Sequence, residues 1–180
     1  MTPRALPADL PKLPSRARDS HKGTFGRALL VAGSPGMAGA AGLCGLAALR
    51  AGAGLATVAC PAGIAAIVAS YHPAYMTLPL PEDEAGGLTM ESAAAILARP
   101  CEAMAIGPGL GAGEGARATV ATVVRDAPVP LVIDADGLNL LSGRLSLLRH
   151  RQAGTVMTPH PGEFARLTGA TTAVIQADRR

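Results

Sequence analysis

Short apolar runs alternate with longer Ala- and Leu-rich stretches along most of the chain. Residues 27–32 (RALLVA) have the length and composition of a buried strand, closed by Gly33-Ser34-Pro35-Gly36. Residues 37–51 then predict a helix, with Gly52 and Gly54 as candidates for its C-cap. A second strand follows at 55–60, and Pro61 suits the first position of a helix over 62–70. Residues 75–78 are strand-like and lead into a loop of Pro, Glu, Asp and Gly. Thr89 is a suitable N-cap for a helix running to residue 98. Strands at 103–106, 130–134 and 155–158 alternate with helices at 114–125, 136–141 and 161–167, the last closed by Gly169. Residues 172–180 (TAVIQADRR) predict the start of an amphipathic helix, with Val174 and Ala177 on one side.

This repetition of strand, loop and helix predicts an α/β fold, with a mostly parallel sheet covered by helices on both faces. No fixed-period repeat or linker divides it. Residues 1–26 are expected to form an irregular basic arm and 27–180 a single domain. Composition fits this picture: 49% of the 180 residues are apolar but only 2% aromatic, so Ala, Leu, Val and Ile must build the core. The 22 Gly and 15 Pro punctuate short elements instead of forming a low-complexity tract.

The net charge of +3 is modest. Much of it lies in the first 27 residues, where Arg4, Lys12, Arg16, Arg18, Lys22 and Arg27 face only Asp9 and Asp19. Prolines and the lack of interleaved aromatics argue for a solvated lead-in over a nucleic-acid-binding arm. The proline-broken N-terminus has no signal-peptide core, and no apolar run is long enough to span a bilayer, so a cytoplasmic protein is expected. Cys44, Cys60 and Cys101 have no CxxC spacing and are expected as free thiols in a reducing compartment. The four histidines are scattered, and no metal cluster is expected.

In an open parallel sheet, ligands bind at the carboxyl ends of strands, where backbone amides and helix N-termini are left free. Four loops at such ends carry candidate chemistry. Residues 33–40 (GSPGMAGA) place small side chains where a ligand could approach the backbone, but lack the Lys-Ser/Thr of a P-loop. Residues 107–113 (GPGLGAG) follow a strand and open a helix, which suggests a backbone cradle for an anionic ligand. Gly111, Gly113 and Ala116 also satisfy GxGxxA, and Asp134 and Asp136 stand near the distance of a ribose-binding acid, so a dinucleotide site stays open. Asp134 and Asp136 could bind a ribose hydroxyl or Mg²⁺ with waters. They could equally cap the next helix or, with Asn139, hold the loop. In the fourth loop His160 stands between two prolines, which restrict its backbone and could present the imidazole to a ligand. Glu163 would fall in a first helical turn, where capping explains it.

Taken together, HKGTFGRALLVAGSPGMAGAAG, AALRAGAGLATVACP, AIGPGLG, VIDADGLNLL and MTPHPGEFARLTG resemble, in order and across residues 21–169, the ADP/ATP-dependent (S)-NAD(P)H-hydrate dehydratases of the ribokinase-like superfamily. The resemblance implies a three-layer α/β/α fold with a mostly parallel central sheet. It also implies a repair lyase that uses ADP or ATP with Mg²⁺ to convert NADHX or NADPHX, in the S form, back to NADH or NADPH. The ring hydroxyl of the hydrate would be phosphorylated, and loss of phosphate would restore the double bond. On this resemblance Ala40, Gly107, Gly109, Gly111 and His160 fall on the substrate side. His21 and Lys22 match the opening motif, and Asp134, Asp136 and Asn139 are possible site-lining residues. Family members often form homotetramers.

The same resemblance implies a further C-terminal part with a Lys-Gly loop for the adenylate and a Gly-Thr-Gly-Asp turn bearing the base. Neither motif occurs here beyond Lys22-Gly23, so the catalytic residue is unassigned and the chain alone is expected to bind substrate weakly without turnover. The alternatives are another ribokinase-like small-molecule kinase, or a degenerate, non-catalytic nucleotide-binding fragment.

Overall fold

The computed structural model describes residues 15–178. The basic residues Arg4 and Lys12, with Asp9, lie outside that range, as do Arg179 and Arg180. Within it, the predicted alternation becomes a six-stranded, all-parallel sheet. The strands are β1 (Arg27–Val31), β2 (Leu55–Pro61), β3 (Met76–Leu80), β4 (Ala103–Ile106), β5 (Leu131–Ile133) and β6 (Thr155–Met157), in spatial order β3-β2-β1-β4-β5-β6. The helices are α1 (Ala38–Arg50), α2 (Ala62–Tyr71), α3 (Ser92–Leu97), α4 (Glu114–Asp126), α5 (Asp136–Leu141), α6 (Pro161–Thr168) and α7 (Thr172–Ala177).

The two-residue period of the strands sorts their side chains into two cores. Leu29 and Val31 point to one face with Met104, Ile106, Leu131 and Ile133, beneath α3, α4 and α5. Leu30 and Ala32 point to the other with Ala56, Val58 and Cys60, beneath α1 and α2. Small residues allow close approach on this second face. A Cβ on Gly45 would come within 2.7 Å of both Tyr75 and Val58, so α1 rests almost directly on the sheet. The covering is uneven: Val132 on β5 and Val156 on β6, paired in register, are 38% and 57% exposed.

Several boundaries differ from the sequence-based expectation. Tyr75 was expected to open the third strand, but it is buried beside α1 and α2 and donates its hydroxyl to the Val68 carbonyl at 2.6 Å. The strand therefore starts at Met76. Thr89 does not cap a helix; its carbonyl accepts from the Ser92 amide, so a turn intervenes and α3 begins at Ser92 behind Glu91. Gly52 closes α1 as expected: just after the C-cap Ala51 it takes φ +109°, its amide donating to Leu49 and that of Ala53 to Ala48. Gly54 does not, and instead lets the Lys22 carbonyl approach. A 3₁₀ segment at Leu145–His150 had no sequence prediction. The last helix ends at Ala177, with Val174 exposed.

The end of the basic arm is ordered against the domain. Residues Lys22–Phe25 form a 3₁₀ turn capped by His21, and the Arg16 guanidinium lies 4.2 Å from the Phe25 ring centre. Among the described residues no helix is long and apolar enough to cross a membrane.

Candidate functional site

Strand order reverses between β1 and β4: the chain leaves β1 toward β2 and β3 on one side, then returns to add β4, β5 and β6 on the other. Connections leaving the two strands diverge there, opening a crevice at their carboxyl ends. The loops lining it are tied together by backbone bonds. The Gly33 amide donates to the Pro108 carbonyl at 2.9 Å and the Gly107 amide to the Val31 carbonyl at 3.1 Å.

Close packing explains why this edge needs glycine. Gly107 has φ +135°, and a Cβ there would sit 1.9 Å from the Asp134 carbonyl oxygen. Gly109, at φ +68°, faces the first turn of α1, where a Cβ would approach Ala40 Cβ to 3.0 Å. Ala40 and Gly109 are thus small for one steric reason. Any larger side chain at either position would fill the approach to the N-terminus of α1.

The loop after β5 is strained. The Asp134 carbonyl accepts from the Gly137 amide at 3.0 Å, closing a turn with Ala135 at φ 51°, ψ −122°. This is the only non-glycine positive φ among the described residues, in a region that glycine ordinarily occupies. The turn sends the two neighbouring carboxylates to different duties. Asp136 accepts the Gly111 amide at 2.9 Å, clamping the glycine loop. The Asp134 carboxylate has no hydrogen bond or ion pair among the described residues.

This arrangement changes two expectations. The glycine loop was expected as a backbone cradle for an anionic ligand; one of its amides, that of Gly111, is taken by Asp136. Asp134 does not cap α5, whose N-cap is Ala135 with no side-chain cap bond. Asn139 is a brace: its Oδ1 accepts from Arg166 at 2.7 Å and ties α5 to α6.

His160 stands on the same edge, after β6, as the N-cap of α6. Its Nδ1 accepts the Gly162 amide at 3.0 Å, and Nε2 lies 3.0 Å from Glu163 Oε1. Glu163 Oε2 in turn accepts the His160 amide at 2.9 Å, completing a reciprocal cap. An accepting Nδ1 puts the proton of a neutral ring on Nε2, which faces the Glu163 carboxylate at ion-pair distance. The side chain is 61% exposed, so its ring face is accessible.

His21 and Lys22 lie elsewhere. They precede β1 and pack beside the start of β2, at the amino end of the sheet, separated from the crevice by the strands' length of roughly 15 Å. The structure does not bring them to the other candidates. The thiols have no part in the site. Burial pushes the Cys60 thiol up to about 11 and also raises Cys44, so neither is a ready thiolate.

One crevice residue escaped the sequence analysis. Ser34 is only 6% exposed, and its hydroxyl makes no hydrogen bond among the described residues. A serine in a glycine-rich turn carries no local signal to separate it from an ordinary turn residue.

Known proteins resemble this chain in sequence and fold. A family model described as NAD(P)H-hydrate dehydratase matches residues 28–180. A bifunctional NAD(P)H-hydrate repair enzyme of Moorella thermoacetica is 45% identical over 170 residues, covering 93% of this chain and 32% of the relative. An ADP-dependent (S)-NAD(P)H-hydrate dehydratase of Neisseria meningitidis is 37% identical over 173 residues, covering 92% and 53%. Among solved structures, the ADP/ATP-dependent NAD(P)H-hydrate dehydratase of Bacillus subtilis, co-crystallised with ATP and Mg²⁺, superposes with a TM-score of 0.77 at 35% identity. That match covers 93% of this chain and 56% of the other. A ribokinase-like superfamily protein of Enterococcus faecalis gives 0.72 at 26% identity. The chain spans about a third of the bifunctional relative and about half of the dehydratases.

Proposed function

Because the chain belongs to the NAD(P)H-hydrate dehydratase family, with its ribokinase-like three-layer fold, we propose that it forms the substrate side of a nucleotide-dependent (S)-NAD(P)H-hydrate dehydratase. The reading is carried by one observation: the loops after β1, β4 and β5 close on each other at the strand-order reversal, while the His160 ring stands on the same edge. The substrates would be NADHX and NADPHX, and the products NADH and NADPH.

Each residue then has a physical role. Ala40 and Gly109 keep the approach to the N-terminus of α1 open, so that the hydrate can lie against backbone. Gly107 and Gly111 shape the loop, and Asp136 holds it. His160 supplies an aromatic face for a planar part of the ligand. In the reaction, the ring hydroxyl takes the terminal phosphoryl group of ADP or ATP. Its C–O bond then breaks with loss of a proton from the adjacent carbon, releasing phosphate and restoring the ring double bond. No residue assigned here is the base for that proton.

Mg²⁺ fits the site in a limited way. It is commonly held by one or two carboxylates with phosphate oxygens and waters, and Asp134 is the carboxylate left uncommitted. When bound it would neutralise nucleotide phosphate charge.

Calorimetric titration of the 180-residue protein with hydrated NADH, and separately with NADH, tests this reading. Selective binding of the hydrate over NADH is expected. No binding of hydrated NADH would overturn it.

A further inference from the structure

Ser34 is the feature of the crevice that the family reading leaves unexplained. It lies three residues after the end of β1, at the strand-order reversal, and only 6% of its surface is exposed. A buried hydroxyl without a partner costs free energy, which is why such groups are almost always hydrogen-bonded. Among the described residues the only side-chain polar atom both sealed from solvent and unpartnered is Thr89 Oγ1. The Ser34 hydroxyl is therefore unpartnered but not sealed from solvent. Its Oγ lies 3.8 Å from the point where a Cβ on Gly111 would stand, so it looks at the open side of the glycine loop.

The surroundings decide what it can bind. The Gly111 amide is taken by the Asp136 carboxylate at 2.9 Å. Asp134 adds a second carboxylate from the same turn, and no cation is paired with either among the described residues. This corner is thus negative, and a phosphate placed directly against Ser34 would meet like charge. A neutral group that both donates and accepts would not, and a serine hydroxyl complements such a group.

We propose that Ser34 is a substrate-contacting residue whose hydroxyl binds a neutral hydroxyl group of the ligand. This rests on the dehydratase reading of the crevice. Two parts of hydrated NADH carry that chemistry: the hydroxyl that hydration adds to the ring, and the ribose hydroxyls.

The test compares the wild-type protein with Ser34→Ala by calorimetry, using hydrated NADH, intact NADH and inorganic pyrophosphate. Removing Oγ leaves the backbone unaltered, and an unchanged thermal midpoint confirms the fold. The expected result is about tenfold weaker binding of hydrated NADH, equivalent to about 1.4 kcal/mol. If the loss is confined to the hydrate, the contact is the ring hydroxyl; if NADH loses as much, it is ribose. Unchanged affinity for both nucleotides, or a loss seen equally with pyrophosphate, would overturn the assignment. Wild-type protein that ignores hydrated NADH altogether would overturn the dehydratase reading and this contact together. Wild-type binding that survives Ser34→Ala intact removes the contact alone.

Discussion

At the amino end of the sheet Arg27, Glu102 and Arg151 are tied to one another's strands or to backbone; at the carboxyl end Ser34 and the Asp134 carboxylate are left over. Arg27 and Glu102 join the starts of β1 and β4, with the Arg27 amide donating to Glu102 at 2.6 Å. This pairing holds the Glu102 carboxyl below its ordinary range. Arg151 donates to the carbonyls of Val124, Ala127 and Val129 at 3.0, 3.1 and 2.7 Å and to Thr155 at 2.7 Å, bracing the starts of β5 and β6. The crevice edge instead carries an unpartnered serine, an uncommitted aspartate and a strained alanine. The difference separates an end braced by its own side chains from one that keeps unused bonding capacity.

The sharpest way to break the comparison is Gly107→Ala. The added Cβ would meet the Asp134 carbonyl at 1.9 Å, and both partners are backbone, so neither can swing aside. A loss of about 3–4 kcal/mol is expected in urea unfolding, together with loss of hydrate binding. Arg151→Ala should separate the two ends. It strips partners from three carbonyls and should cost about 2 kcal/mol, while the folded protein keeps its affinity for hydrated NADH. A parallel loss of affinity would show that the amino-end brace also shapes the crevice. The smallest change is Ala135→Gly. Relief of the φ 51° strain should stabilise the protein by about 1 kcal/mol, read from the denaturation midpoint. Unchanged or lowered stability would show that the turn is not strained enough to matter.

Much of this was legible in the sequence. Strands such as Arg27–Val31 and helices such as Ala38–Arg50 announced themselves through period and punctuation, and Gly169 marked the end of α6, where it takes φ 74°. The glycine loop and His160 stood out as candidates because few ordinary turns use four glycines or a histidine between prolines. What escaped were roles set by distant neighbours. Asp136 and Gly111 are 25 positions apart, and no local pattern says that one holds the other. Tyr75 looked like a strand residue because β propensity is local, whereas its burial against α1 and α2 is not.

By itself, then, the chain determined its alternation of elements, its division into two apolar faces and the positions of its small residues, since these depend on period, chirality and side-chain size. Only the tertiary structure decided which carboxylate is free, which histidines face the crevice and which hydroxyl is left without a partner. Those properties are differences between what a group can bond and what its neighbours already take, and the neighbours are chosen by the fold.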